Sequence, residues 1–338
     1  MRAIVITRHG GPEVLQIREQ PDPTPRAGEV QIRVRASGIN FADLMARMGL
    51  YPEAPKPPSV VGYEVSGEIS ALGAGVGNVK VGDRVLAPTM FGGYAEKVVV
   101  PAMSAFKMPE GMDFAEAAAI PVNYMTAYHM LHHVGSLKAG EFVLIQAAAG
   151  GVGLAVIDLA LAAGAIPIGL ASESKHEFLR ERGAECLISR DEDLFEAIKK
   201  YTEKRGVDLV LDSEGGPGLQ DSYNMLRSGG RLVSFGASSL AMGSRRDMFG
   251  VLSRLLRTPK FKPLTLMKEN RGVIGVNMNT LSQRAPDIVA KEMKALLAMH
   301  AAGQIRPHVD KQFAPEEAGA AHQYIHDRQN KGKVVIAW

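Results

Sequence analysis

The sequence predicts an α/β protein in two parts, a β-rich first third followed by a doubly wound parallel-sheet domain. Three features carry that prediction. Up to about residue 120, short runs rich in β-branched residues are separated by the turn segments RAGE, KVGD and FGG, the pattern of paired strands. After Pro121, strand-length apolar runs alternate with helix-length runs. Such alternation needs crossover connections, which set helices on both faces of a parallel sheet. Between the first of those strands and its helix stands Ala147-Ala148-Ala149-Gly150-Gly151-Val152-Gly153, a tight turn built from small residues.

In chain order, strands are expected at 3–7, 30–36, 65–72, 83–87 and 95–100, with FADLMARMG as the one clear helix among them. The helical stretch NYMTAYHMLHHVGSL leads into the second part. There, strands at 142–146, 166–171, 185–188, 207–212 and 231–236 alternate with helices at 151–163, 174–182, near 194–201, and one running to Leu226. From about Ser282 the tail holds amphipathic helices at 288–302 and 315–328 and a last strand, KVVIAW. A strand that follows a complete sheet is expected to return to the first part.

Composition narrows the function classes. With 39 Lys plus Arg against 36 Asp plus Glu and 46% hydrophobic residues, the chain is neither disordered nor a dedicated nucleic-acid binder. Its 338 residues suggest two domains. The opening MRAIVITRHG lacks the apolar core of a signal peptide. The apolar stretch 142–171 is broken by Gln146, the glycine turn and Asp158, so no integral membrane segment is expected. The single cysteine, Cys186, excludes an internal disulfide and suits a reducing, cytoplasmic setting.

The glycine turn is the sharpest local signal. Gly150 lets the backbone approach a pyrophosphate, Gly153 permits close helix-to-sheet packing, and the helix start offers free N–H groups at the positive end of its dipole. A dinucleotide suits this geometry. Ala148 stands where the usual G-x-G-x-x-G has its first glycine, so the motif is incomplete, and a merely structural glycine turn also produces it. At the end of the next strand, an NAD-selective site carries an acidic residue for the ribose 2′-hydroxyl. Here Ser172 leaves room for a phosphate, while Lys175 and Arg190 supply positive charge. NADPH is the expected cofactor. Glu173 is the competing reading: facing the ribose in place of Ser172, it weakens or reverses that preference.

Taken with GINFADLMAR, VVGYEVSG, VGDRV, AAAIPVNYMTAY and NKGKVVI, these motifs run in an order that resembles the medium-chain dehydrogenase/reductase superfamily along the whole chain. The resemblance is strongest to its zinc-free quinone oxidoreductase family. NFADLMARMGLY, ASESKHEFL, the 241–279 segment and IRPHVD are similar to the subgroup of the vesicle amine transport protein. The resemblance implies a GroES-like catalytic domain at 1–122 and 283–338, a Rossmann NADPH-binding domain at 123–282, and a homodimer, with a tetramer left open. It also implies reduction of a small quinone or α,β-unsaturated carbonyl.

Residue by residue, the resemblance puts Asn40 beside the nicotinamide, Tyr51 in the substrate cleft, and Tyr63 where zinc relatives carry a histidine. These three are the expected catalytic residues, with Asp43 and Glu64 orienting them. Thr126 falls near the cofactor phosphate or amide, and Gly150, Gly151, Val152 and Gly153 on the pyrophosphate. Ser172 and Lys175 fall at the 2′-phosphate, joined by Arg190, which departs from the tyrosine of many relatives. Phe235, Gly236 and Ala237 lie along the nicotinamide, with Asn277 and either Asn330 or Lys333 near its carboxamide end.

Zinc relatives place a cysteine where this chain has Gly38 or Ile39, and a histidine in a Gly-His-Glu motif that reads Gly62-Tyr63-Glu64 here. No metal is expected. His129, His132 and His133 are expected on a surface helix with no carboxylate or cysteine nearby. Without a Lewis acid to ionise an alcohol, an activated acceptor is the better substrate, because it needs only alignment and hydrogen-bond donors. A rival reading comes from residues 244–262, where Arg245, Arg246, Arg254, Arg257, Lys260 and Lys262 face one anion, Asp247. Such a basic amphipathic helix suits an anionic membrane or a partner, as in a nucleotide-binding interaction protein at lipid surfaces with little turnover. The other placement of its apolar face is over the cleft or at a dimer seam.

Overall fold

The computed structural model describes residues 1–241 and 248–338. Its first part carries β1 (Arg2–Ile6), β2 (Leu15–Glu19), β3 (Glu29–Ile39), α1 (Phe41–Met48), β4 (Glu64–Leu72), β5 (Arg84–Pro88), β6 (Lys97–Pro101), β7 (Phe106–Lys107) and α2 (Phe114–Ala117). The five expected strands and the expected helix are present. Three elements were not expected: β2 is largely polar, β7 is two residues long, and α2 is one turn held by Asp113, whose carboxylate accepts from Ala115 N at 2.7 Å. α1 buries Leu44, Met45 and Met48 and ends at Gly49 in the left-handed conformation, φ 71°. At its start, the Asp43 carboxylate accepts from the Asn40 N–H at 2.8 Å.

A helix with π-helical turns at Ile120–Tyr124 and His129–Val134 and one α-helical turn, α3 (Met125–Tyr128), leads into the second part. β8 (Phe142–Ile145), α4 (Gly151–Ala162), β9 (Ile166–Ala171), α5 (His176–Glu181), β10 (Cys186–Ser189), α6 (Leu194–Tyr201), β11 (Val207–Asp212), α7 (Leu219–Asn224) and β12 (Leu226–Ser234) then alternate. The helix expected to run to Leu226 stops two residues earlier, and Leu226 opens β12. α8 (Met248–Arg257), α9 (Pro263–Glu269) and β13 (Gly272–Gly275) follow. Among the described residues the sheet order is β10-β9-β8-β11-β12-β13, with every neighbouring pair parallel. This is the doubly wound order of a Rossmann domain. Its ligand crevice opens at the carboxyl ends of the strands where the winding reverses, between β8 and β11.

The tail carries α10 (Met278–Arg284), α11 (Pro286–Ala301), β14 (Val309–Phe313), α12 (Ala318–His326) and β15 (Lys333–Ala337). β15 pairs antiparallel with β3, Val334 opposite Ile39, and closes the GroES-like sheet in the order β14-β15-β3-β4-β5-β7, with β6 also on β3. The last strand does return to the first part. α11 packs with the other part: Val289, Met293 and Leu296 share one buried cluster with Met125, Met130 and Leu154. We propose on that packing that the Rossmann unit extends past residue 283 to the end of α11.

Two expectations about surface segments are corrected or limited. His129 is 6% exposed, and Glu292 of α11 reaches it and His133; crossing helices brought in a carboxylate that local sequence does not show. Of the basic segment, Arg245, Arg246 and Asp247 lie outside the described residues. In the remainder, Phe249, Leu252, Leu255 and Leu256 are exposed, and Val251 and Leu255 also border the interdomain cleft. Among the described residues no helix is long and apolar enough to cross a membrane.

One buried histidine makes the fold acid-sensitive. His322 is fully buried with Nε2 3.2 Å from the Tyr94 hydroxyl, and burial, aided by Arg47, holds its imidazole well below the ordinary range. The unfolded chain therefore binds the proton more readily. The stability from neutral His322 is complete above the unfolded value near 6.5 and is lost as pH falls below it. Thermal unfolding between pH 5 and 7 checks this: His322→Gln is expected to flatten the slope by up to one proton, at most ~1.4 kcal/mol per pH unit towards pH 5. Identical slopes in the two proteins contradict it.

Candidate functional site

A cleft of about 1790 Å³ runs between the two sheets, along the carboxyl ends of β8, β9, β11 and β12. All the residues expected at the site line it: Asn40, Tyr51, Tyr63, Thr126, Gly150 to Gly153, Ser172, Lys175, Arg190, Phe235 to Ala237, Asn277, Asn330 and Lys333. Ser172 borders it, whereas Glu173 is exposed and outside the lining.

At the floor lies an ion pair. The Lys333 ammonium, 2% exposed, contacts the fully buried Glu64 carboxylate and donates to Asn40 Oδ1 at 2.8 Å. Glu64 also accepts from Asn40 Nδ2 at 2.8 Å and from Val122 N at 2.7 Å. This fixes the Asn40 amide in one orientation, bonded through both ends, and pins β15 to β4. The register needs Gly38: a Cβ there would lie 2.4 Å from Glu64 Oε1 and 2.6 Å from Lys333 Cε. Next to it, burial pushes the Asp43 carboxyl up to about 7, against donors Asn40 N and Gly62 N.

Two tyrosines face the cleft above this floor. The Tyr63 hydroxyl is buried without a partner among the described residues, and burial, then Asp43, raises its pKa far beyond the usual phenol range. Its ring packs between Tyr51 and Phe91, at centroid distances of 6.0 and 5.3 Å. The Tyr51 hydroxyl accepts from Asn279 Nδ2 at 3.1 Å, and burial with nearby Glu53 pushes its pKa up to about 12. Both phenols are neutral; Tyr51 already donates to Glu53 Oε2 at 3.5 Å, whereas the Tyr63 proton has no acceptor among the described residues. Asn279, in α10, was missing from the sequence reading because it comes to Tyr51 from 228 residues away, and Glu53, two residues after Tyr51, because the sequence does not show where its side chain turns. Asn277 is committed elsewhere: its Oδ1 caps α10 by accepting from Thr280 N at 3.1 Å, and its Nδ2 donates to Glu53 at 2.9 Å.

At the Rossmann end the glycine turn packs closely on its neighbours, as the third glycine of a dinucleotide-binding turn does. A Cβ on Gly151 would sit 2.1 Å from Asn123 Nδ2, and one on Gly153 2.4 Å from the Ala148 carbonyl. Gly332 N donates to the Ala149 carbonyl at 2.8 Å, seating the tail on the turn. Beneath, buried Gln146 donates to Asp212 at 3.1 Å and accepts from Ser213 N at 3.1 Å, which shapes the loop after β11.

Beyond the turn, cations gather. Burial lowers the Lys175 ammonium against Asp310, and Arg190, Lys331 and Arg328 lower it further. Burial also lowers Arg190, with Arg328 adding to it. Lys175 is also a tether: it donates to the Arg328 and Asn330 carbonyls, each at 2.6 Å. Lys175 and Lys331 are partly buried, Arg190 and Arg328 exposed, and like charges held together in this way suit a polyanion. Arg328 and Lys331 escaped the sequence reading because the tail brings them in from another domain.

A GroES-like sheet, a Rossmann sheet and a dinucleotide cradle between them define a two-domain dehydrogenase/reductase. Residues 26–110 match the family described as "Alcohol dehydrogenase GroES-like domain" and residues 182–336 the one described as "Zinc-binding dehydrogenase". The chain belongs to the medium-chain dehydrogenase/reductase superfamily, an oxidoreductase superfamily, and within it lies close to VAT-1 homologs and quinone oxidoreductases. It is 38% identical to the synaptic vesicle membrane protein VAT-1 homolog of Danio rerio, over 99% of this chain and 69% of that one. The solved structure of Escherichia coli quinone oxidoreductase complexed with NADPH superposes with a TM-score of 0.88 at 30% identity, covering 100% of each chain. The CurK enoyl reductase structure superposes with a TM-score of 0.87 at 28% identity, covering 99% of this chain and 98% of that one.

The zinc in one family description does not fit these residues. Where zinc relatives are expected to place a thiolate and an imidazole, this chain has Gly38 or Ile39 and Tyr63, and the lone cysteine lies in β10. The remaining carboxylate, Glu64, is already paired with the Lys333 ammonium. A divalent ion there would face a buried cation with no thiolate or imidazole to hold it.

Proposed function

We propose that the protein is an NADPH-dependent, zinc-independent reductase of quinones or α,β-unsaturated carbonyls. The observation that carries this is one continuous cleft with a cluster of cations at one end and neutral donors at the other. Arg190, Lys175 and Arg328 suit the 2′-phosphate, with Ser172 leaving it room. The glycine turn suits the pyrophosphate, and Phe235, Gly236 and Ala237 border the space left for the nicotinamide. When bound, NADPH supplies a hydride from its nicotinamide C4.

The residues of the chain do the rest. Met45, Leu50, Met90 and Met278 give the acceptor an apolar wall and exclude water. The unpartnered Tyr63 hydroxyl offers a hydrogen bond to an oxygen that gains negative charge, with Tyr51 a second donor once its proton turns from Glu53. Asn40, locked by Glu64 and Lys333, presents a fixed amide that orients the bound molecules. Protonation then comes from a phenol or from water. Tyr63→Phe is expected to lower kcat with 9,10-phenanthrenequinone by about 10²-fold or more, the scale of losing one such donor, with little change in melting temperature. Unchanged kcat removes Tyr63 from the chemistry.

A homodimer in a reducing, cytoplasmic setting is part of the proposal. A second reading, a nucleotide-binding protein at lipid surfaces, draws on exposed Phe249, Leu252 and Leu256 beside Arg257, Lys260 and Lys262. Co-sedimentation with anionic liposomes, together with NADPH binding and no turnover on a quinone or a 2-alkenal, favours that reading over ours.

A further inference from the structure

His129 and His133 sit one turn apart on the π-helical segment His129–Val134, their rings stacked at 4.8 Å with planes 19° apart. Both direct Nδ1 at one oxygen of Glu292 on α11: His129 at 2.9 Å and His133 at 3.2 Å. The three ligand atoms all lie within 4.8 Å of one another. Tetrahedral zinc, with bonds of about 2.0–2.2 Å, sets its ligands roughly 3.3–3.6 Å apart. The two contacts to Glu292 are within a few tenths of an ångström of that spacing, and a separation as wide as 4.8 Å closes to it by roughly 1.2 Å.

A second observation points to a ligand. Glu292 is 4% exposed, and its other oxygen, Oε2, is buried with no hydrogen-bond partner among the described residues. A buried carboxylate oxygen left bare is costly, and a cation bound between the carboxylate and the imidazoles removes that cost. His133, with its side chain 46% exposed, gives an ion a way in and leaves coordination positions open to water. His132, packed on Tyr128 at 4.6 Å, is not part of the group.

We propose that His129, His133 and Glu292 form a binding site for a divalent transition metal of the zinc class. It is distinct from the interdomain cleft, whose lining includes none of the three. Two imidazoles and a carboxylate suit zinc or its neighbours rather than magnesium or calcium. The ion clips the helix containing α3 to α11. Each of these also contributes to the cleft wall within a turn or so, through Met125 and Thr126 and through Val289. The site is structural: it fixes the spacing of two wall elements and takes no part in hydride transfer.

The test uses the full-length protein stripped with a chelator and dialysed free of it. Titration with zinc chloride in a calorimeter is expected to give one site per chain and a rise in melting temperature, and cobalt chloride the visible absorption of a four-coordinate ion. His133→Ala, at a half-exposed position, and Glu292→Gln, which conserves volume, are each expected to weaken zinc binding at least about 10-fold, since disturbing even an outer partner of a metal site costs that much. No zinc uptake by the unaltered protein overturns the proposal. So does binding that persists in either variant, which would assign the ion to other surface imidazoles.

Discussion

Lys333→Met is expected to destabilise the fold by about 3–5 kcal/mol, the scale of breaking a buried ion pair from one side. The substitution conserves most of the side-chain volume and removes the charge. Glu64 then remains fully buried as a carboxylate with only the Asn40 amide and the Val122 N–H as donors. Asn40 loses the partner of its Oδ1, so turnover of the folded fraction is expected to fall as well. The cause lies in the unpaired charge, and that yields a check. Adding Glu64→Gln to Lys333→Met is expected to restore much of the lost stability, because the neutral amide still accepts and donates without needing a counter-charge. Urea unfolding of the two single variants and the double variant measures this. Additive losses show that the pair is not coupled.

The second large effect concerns the cofactor. Lys175→Ala and Arg190→Ala are each expected to raise the NADPH dissociation constant by about 10–100-fold, the worth of a hydrogen bond to a charged group. The NADH constant should move far less, because only the 2′-phosphate meets these cations. The Lys175 variant is the more informative. Its ammonium also bonds the Arg328 and Asn330 carbonyls, so a purely structural role would loosen the tail and weaken both dinucleotides alike. Fluorescence titration with each cofactor separates the outcomes. Equal loss on both contradicts the phosphate assignment.

Much of the fold was legible because its signals are local. β9, α6 and β11 fall where the apolar runs put them, since period and turn residues lie within each segment. β2, β13 and β14 were not, because they are polar, short or glycine-flanked and become strands only through a partner. The site divides the same way. The glycine turn and Ser172 could be read in place. The contact between Lys333 and Glu64, 269 residues apart, could not, nor could the approach of Glu292 to His129 across 163 residues. Resemblance named Lys333 for the cofactor, but not the buried carboxylate that holds it. Lys175 was legible as a cation and not as a tether, because its carbonyl partners belong to the tail.

The central claim is hydride transfer from NADPH to a conjugated acceptor with no metal at the cleft. Its most direct test is the steady-state oxidation of NADPH by the purified protein with 9,10-phenanthrenequinone and with a 2-alkenal, before and after exhaustive chelation. The account predicts turnover on at least one acceptor at a rate that survives chelation, even if melting temperature drops as an ion leaves His129, His133 and Glu292. Turnover on neither acceptor, or activity lost with the chelator and restored by zinc while the His133→Ala variant behaves the same way, would contradict it.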